Sequence, residues 1–277
     1  MNTCLRDVPS PAGTVPPALA IHGLTVCYGS ASALFSVDYT ASPAAMNAIV
    51  GPNGAGKSTL IKAALGITSR VCGDILFFGQ PLSRVRHRVA YVPQRATIDW
   101  HFPATVYDVV AMGTYRELGW LRPWRRPDRL RVLSCLDQVG MSRFTTRQIG
   151  QLSGGQQQRT FLARALVQNA DLFILDEPFA GIDATTERAI ATLLRQLACA
   201  GKTIICVHHD LATVPEYFDF VTLLNVRKIA MGPVHTTFTP EKVQETYGGQ
   251  LAAGQLDRVR RNLASSSSSA TLPVAAP

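Results

Sequence analysis

Four short stretches of this 277-residue chain hold residue types suited to phosphate chemistry. The first, Gly51-Pro52-Asn53-Gly54-Ala55-Gly56-Lys57-Ser58, fits G-x-x-x-x-G-K-[ST]. Its glycines permit positive φ and let backbone N–H groups approach phosphate oxygens closely. Lys57 offers a point charge to β- and γ-phosphates, and Ser58 offers a hydroxyl to Mg²⁺. The second, LFILDEP, ends an apolar run with Asp176 and Glu177. Asp176 can hold magnesium directly or through water, and Glu177 can polarise an attacking water as a general base. The third, VHHDL, ends another apolar run with His208 and His209. One of the pair can hydrogen-bond a γ-phosphate or the attacking water, and spacing alone does not choose between them. The fourth, LSGGQQQRTFLARAL, sets Ser153 three residues before Gln156, a capping-box pattern. Gly154 and Gly155 also leave the first N–H groups of that helix unshielded, which makes an anion site. One chain thus carries two helix starts that suit phosphate.

The elements that must hold these residues show in the apolar patterning, which alternates strands with helices. LAIHGLTVCYG and ALFSVDYTAS alternate apolar and polar residues as half-buried strands do. AIV (48–50) leads into the glycine loop, and KSTLIKAAL has helical spacing that stops at Gly66. LFIL (172–175) and TIICV (203–207) are continuous apolar runs, typical of central parallel strands covered on both faces. Between them lies a helix with Ile190, Leu193, Leu194 and Leu197 on one face, ended by Gly201. Strand and helix in alternation is the doubly wound α/β pattern, whose ligands sit at the carboxyl ends of the strands. Between Thr105 and Gly150 the strand signals vanish, and VYDVVAMG and DRLRVLSCLDQVG read as helices with Gly113 and Gly140 as stops. FVTLLN followed by KIAMG resembles a late hairpin turning near Asn225.

No apolar run approaches the roughly 20 residues that span a bilayer. MNTCLRDVPSPAGTVPP lacks a signal-peptide h-region and reads as a flexible leader; SSSSSATLPVAAP reads as a disordered tail. Six scattered cysteines without a C-x-x-C pair favour reduced thiols over a disulfide framework. The formal net charge of +8 favours anionic partners without choosing among them.

The glycine loop, YVPQ, LSGGQQQR, ILDEP and VHHD, in this order, closely resemble the motifs of the ATP-binding cassette (ABC) ATPases, over roughly Leu19 to Gly249. The resemblance implies an α/β P-loop NTPase fold with a mostly parallel core sheet, an N-terminal antiparallel β subdomain and an inserted helical subdomain. Residues 18–249 would form the ATPase domain, with the helical subdomain at about 95–160, a leader at 1–17 and a tail at 250–277. ATP and Mg are the implied cofactors. The nucleotide would touch Tyr28, stacked on adenine, and the loop from Gly51 through Pro52, Asn53, Gly54, Ala55, Gly56, Lys57 and Ser58 to Thr59. Gln94 would sense Mg²⁺ beside Ser58 and Asp176. Glu177 and His209 would act with Lys57 in catalysis, which leaves His208 without a catalytic part. Two cassettes dock head to tail in this family, so Ser153, Gly154, Gly155 and Gln156 would complete the site of the other copy, and Asp183 would touch the partner's P-loop. Two phosphate-facing helix starts then serve two different chains.

With no membrane segment, such a cassette needs permease subunits and, indirectly, an external binding protein; it would sit at the cytoplasmic face of the bacterial membrane. QRATIDWHFPATVYDVVAMGTYRELGWLRP, with Asp99-Trp100, Phe102-Pro103 and GWLRP, is similar to the ATPases of bacterial manganese, zinc and iron uptake. Iron-siderophore import is the neighbouring reading. A soluble ABC ATPase acting on nucleic acid or ribosomes suits the charge, but the chain lacks the long coiled coil or second P-loop of such proteins, so no nucleic-acid partner is expected. The arginines between Arg116 and Arg131 read as a solvated face, or as one lying against the anionic leaflet.

Overall fold

The computed structural model describes residues 16–94, 103–118 and 122–248. Most of the leader, the tail, the Asp99-Trp100 pair, Phe102 and the stretch 119–121 lie outside the described residues.

Two sheets organise the molecule. Strands β1 (Ala20–Tyr28), β2 (Ala31–Thr40) and β4 (Cys72–Leu76) form an antiparallel sheet in the order β2-β1-β4. The larger sheet runs β5-β6-β7-β3-β8-β9, built from β3 (Met46–Val50), β5 (Val89–Val92), β6 (Leu172–Asp176), β7 (Thr203–His208), β8 (Phe220–Asn225) and β9 (Arg227–Pro233). Its first five strands are parallel, and only β9 runs against its neighbour.

The two-residue period of these strands divides the core. Ala48, Val50, Phe173, Leu175, Ile204 and Cys206 pack with the helices Val106–Ala111, Arg126–Gln138, Gly154–Leu166 and Ala184–Cys199. The alternate residues Ile49, Leu172, Ile174, Ile205 and Val207 pack with Leu60 and Ile61 of the helix Lys57–Ala64 and with the antiparallel sheet. The core strands β3, β6 and β7 are buried along their whole length, which is why they read as unbroken apolar runs. Each fully buried Ile, Leu or Phe contributes about 1.5–3 kcal/mol.

Two expectations need correction. Gly113 does not stop a helix: helical turns continue through Met112–Thr114 and Tyr115–Leu118. A Cβ on Gly113 would lie 2.4 Å from the Arg164 carbonyl oxygen and 2.5 Å from Val167 Cγ1, so glycine is there to let two helices touch. Gly140, at φ +66°, does follow the end of its helix as expected. The second correction concerns β4 and β5, for which the sequence reading gives no strand. β4 is half-exposed and interrupted by Gly73, and β5 is only four residues long. The late hairpin is present, but its tip is Val226 at φ +58°, a β-branched residue in the left-handed region. Ahead of the glycine loop, Ala44 takes φ +49°, in the left-handed region.

Candidate functional site

Parallel pairing brings the chemistry-bearing residues to one edge. Val50 is level with His208, Asp176 with Val207, and Val92 with Leu175, so four strands end together. The glycine loop leaves β3, Asp176-Glu177 leave β6, His208-His209 leave β7, and Gln94 lies two residues beyond β5.

The loop is held by steric fit as much as by turn preference. A Cβ on Gly51 would fall 1.9 Å from the Leu224 carbonyl oxygen. Gly56, at φ +89°, would collide with the Ala33 carbonyl and Leu34, each at 2.5 Å. Behind the loop, Val226 N–H donates to the Ala55 carbonyl (3.0 Å), while the Val226 carbonyl accepts from Phe35 N–H (2.8 Å). The helix that follows has no side-chain cap, so its N-terminal dipole faces outward undiminished.

Lys57 is buried and its Nζ donates to the Gly51 and Pro52 carbonyls at 2.7 and 2.9 Å. Burial pulls its ammonium below the ordinary lysine value, against Glu177 and Asp176, which hold it up. Ser58 Oγ donates to Asp176 Oδ1 at 2.9 Å. Asp176 is fully buried, and its Oδ2 has no hydrogen-bond partner. Burial raises the Asp176 carboxyl above the usual range, Ser58 opposes that, and the Glu177 charge adds to it. An orphaned, buried carboxylate oxygen beside a serine hydroxyl is an oxygen donor set that fits a hard divalent cation such as Mg²⁺.

Gln94 Nε2 donates to Glu177 Oε2 at 2.8 Å. Glu177 itself sits at φ +54°, an unfavourable conformation for a non-glycine residue. Its N–H turns back to the Val207 carbonyl at 3.2 Å, which fixes the carboxylate at the strand edge.

The two histidines separate cleanly. His208 is only 1% exposed, lies against Phe179 and Phe218, and places Nε2 2.7 Å from Thr213 Oγ1. His209 is exposed. Thr213 and Phe179, which seat His208, carry no motif that sequence reasoning could have found. Tyr28 ends β1 at 54% exposure, so it is not a core residue.

The fourth stretch forms both halves of the expected capping box: Gln156 N–H donates to Ser153 Oγ at 3.4 Å, and Ser153 N–H to Gln156 Oε1 at 3.0 Å. Gly155 lies against Ile182, with 3.3 Å between its Cβ position and Ile182 Cγ2. Next to Ile182, Asp183 caps the helix Ala184–Cys199 through Thr185 and Thr186 N–H. Those Thr186 bonds, made by N–H and hydroxyl, hold the exposed Asp183 carboxyl below its usual range. Among the described residues no hydrogen bond joins Ser153–Gln156 to the loop Gly51–Ser58.

A glycine loop, a buried lysine and a strand-end carboxylate pair on a mostly parallel sheet define a P-loop nucleoside triphosphatase. The family described as ABC transporter matches residues 34–180. The zinc transport system ATP-binding protein TroB of Treponema pallidum is 54% identical over 237 residues, spanning 85% of this chain and 89% of that protein. The manganese transport system ATP-binding protein MntB of Bacillus subtilis is 50% identical over 231 residues, spanning 83% and 92%. A solved structure, cbiO1 of Clostridium perfringens, part of the ABC transporter complex cbiONQ, superposes with a TM-score of 0.69 at 29% identity, covering 85% of this chain and 96% of that one. The chain belongs to the ABC transporter family, as its ATP-binding and ATP-hydrolysing component. Among the described residues no helix is long and apolar enough to cross a membrane.

Proposed function

We propose that this chain is the ATPase that drives import of manganese, zinc or iron through membrane permease subunits, and that it works as a head-to-tail pair. The metal reading is supported by relatives at 54% and 50% identity named as zinc and manganese transport ATP-binding proteins. The observation that carries the mechanism is the meeting of Lys57, Ser58, Asp176, Glu177 and Gln94 at one sheet edge.

In this reading Tyr28 stacks on adenine, and the backbone from Gly51 to Thr59 surrounds the phosphates. Lys57 uses two of its three N–H donors on loop carbonyls, which aims the third at a phosphate oxygen. Ser58, Asp176 and Gln94 hold Mg²⁺, which when bound neutralises developing phosphate charge. Glu177 orients the attacking water and accepts its proton, and Gln94, hydrogen-bonded to that carboxylate, ties the base to the segment leading into the helical region. His209 donates to the γ-phosphate from the next strand. Ser153, Gly154, Gly155 and Gln156 meet the γ-phosphate bound by the other copy, with Asp183 beside them. ATP then closes the pair because its charge is stabilised from both sides, and hydrolysis removes that bridge. The chain lies peripherally at the cytoplasmic face of the membrane and is fed indirectly by an external metal-binding protein. A short permease helix docks between the sheet and the helical region.

The test is uptake of manganese, zinc and iron in cells carrying Glu177→Gln. Loss of one or more of these ions identifies the cargo. Unchanged accumulation of all three, with the variant expressed and no substitute ATPase, refutes the metal assignment.

A further inference from the structure

A cavity of about 780 Å³ opens between β5, the turns Met112–Thr114 and Tyr115–Leu118, and the helices Arg126–Gln138 and Gly154–Leu166. Its wall carries five arginines, Arg86, Arg88, Arg116, Arg131 and Arg164, and two carboxylates, Glu117 and Asp171. Both carboxylates are already engaged: Glu117 with Arg131 at 2.6 Å, and Asp171 with Arg88 at 2.7 Å. Among the described residues Arg86 and Arg116 make no ion pair, and the buried Nε of Arg164 has no hydrogen-bond partner. Three positive charges are therefore left over in one concave site, one of them partly removed from water. A smaller hollow of about 70 Å³ adjoins it, sharing Arg86, Val89 and Tyr91, and its other lining residues are apolar: Leu65, Ile67 and Leu82. Ile67 is 58% exposed, more than the packing of this fold demands.

A basic cleft continuous with an apolar one calls for an occupant with carboxylates at one end and aliphatic side chains at the other. We propose that the segment of the membrane partner docking here is an acidic amphipathic helix. Its carboxylates face Arg86, Arg116 and Arg164, and its apolar side chains rest on Leu65, Ile67 and Leu82. This rests on the permease reading above and adds to it the charge rule by which the partner is recognised. A buried carboxylate meets the Arg164 guanidinium where water is scarce, so the pairing sets partner choice more than it sets overall stability. Part of the arginine run that reads in sequence as a leaflet-facing surface thereby belongs to a protein interface.

The full chain is titrated, at about 0.15 M salt, against labelled synthetic helical peptides of about 15 residues. One carries three glutamates opposite a leucine face, a second has glutamine in their place, and a third has lysine. The acidic peptide binds about tenfold more tightly than the glutamine peptide, and the lysine peptide does not bind. Arg86→Glu and Arg116→Glu, both at exposed positions, each weaken the acidic peptide several-fold and leave basal ATP hydrolysis unchanged; Arg164→Gln does the same if it folds. Equal binding of acidic and glutamine peptides overturns the proposal. So does a result in which phosphatidylglycerol vesicles, and not the peptide, are lost on Arg86→Glu and Arg116→Glu. A double variant that binds no acidic peptide yet supports normal metal uptake refutes the docking rule alone. Normal uptake of all three ions with Glu177→Gln refutes the metal assignment whatever the peptides do.

Discussion

Lowering the pH from about 7.5 to about 4.5 sets the burial of His208 against its wish for a proton. The ring is 1% exposed, wedged between Phe179 and Phe218, with Thr213 on Nε2. Burial first, and then the neighbouring His209, hold its pKa down from 6.5 to about 4, against the pull of Asp210. In the unfolded chain the imidazole titrates near its ordinary value, about 6.5. Above that pH both states are neutral and His208 has no effect on the balance. Between about 6.5 and about 4 the unfolded chain binds a proton that the folded chain refuses, so stability falls as pH falls. The slope approaches about 1.4 kcal/mol per pH unit and the total is about 3 kcal/mol across the window. His208→Gln keeps a hydrogen-bonding partner for Thr213 and cannot titrate. Urea unfolding of both proteins at several pH values isolates the effect, because every other titrating group is common to the pair. The wild-type chain loses about 2.5 kcal/mol more than the variant on going to about pH 4.5. Parallel pH profiles would show that His208 is protonated in place, and the account of its burial would fail.

Gly51→Ala drives a methyl group to 1.9 Å from the Leu224 carbonyl, so it destabilises the fold by about 2 kcal/mol or more and weakens ATP binding; an unchanged urea midpoint contradicts this. Ser153→Ala removes a helix cap worth about 1 kcal/mol, yet it lowers ATP turnover at least about tenfold while monomer ATP affinity holds, the split expected of a residue acting in the other copy. A proportionate loss of affinity in the monomer would place Ser153 in its own chain's site. Tyr28→Ala, at an exposed position, leaves the urea midpoint in place and weakens ATP binding about fivefold by equilibrium dialysis.

The glycine loop, the strand-end carboxylates and the capping box were legible because each is a local constraint written in adjacent residues. The same holds for β6 and β7, whose burial on both faces leaves unbroken apolar runs. What was not legible depends on contacts between distant segments. Gly113 reads as a stop until Arg164 and Val167 of another helix are seen against it. β5 is four residues long and is a strand because β6 pairs with it. The spacing of VHHD cannot say which histidine faces the core; the resemblance singles out His209 for catalysis, and the pocket of Phe179, Thr213 and Phe218 shows why His208 turns inward. Arg116 of the large cavity reads as part of a solvated run, since Arg86 and Arg164, which share that cavity, lie thirty and forty-eight residues away in sequence.

The hairpin tip at Val226 has a thermodynamic meaning for ligand capture. Its N–H donates to the phosphate loop and its carbonyl accepts from β2, in a conformation that a β-branched residue adopts only under constraint. Ordering one residue's backbone costs about 1–2 kcal/mol in entropy. Here that loss falls on the loop when the two sheets assemble around Val226 during folding. Nucleotide therefore meets amides whose freedom is already gone, and the attraction of its phosphates appears in affinity with little of it consumed by ordering.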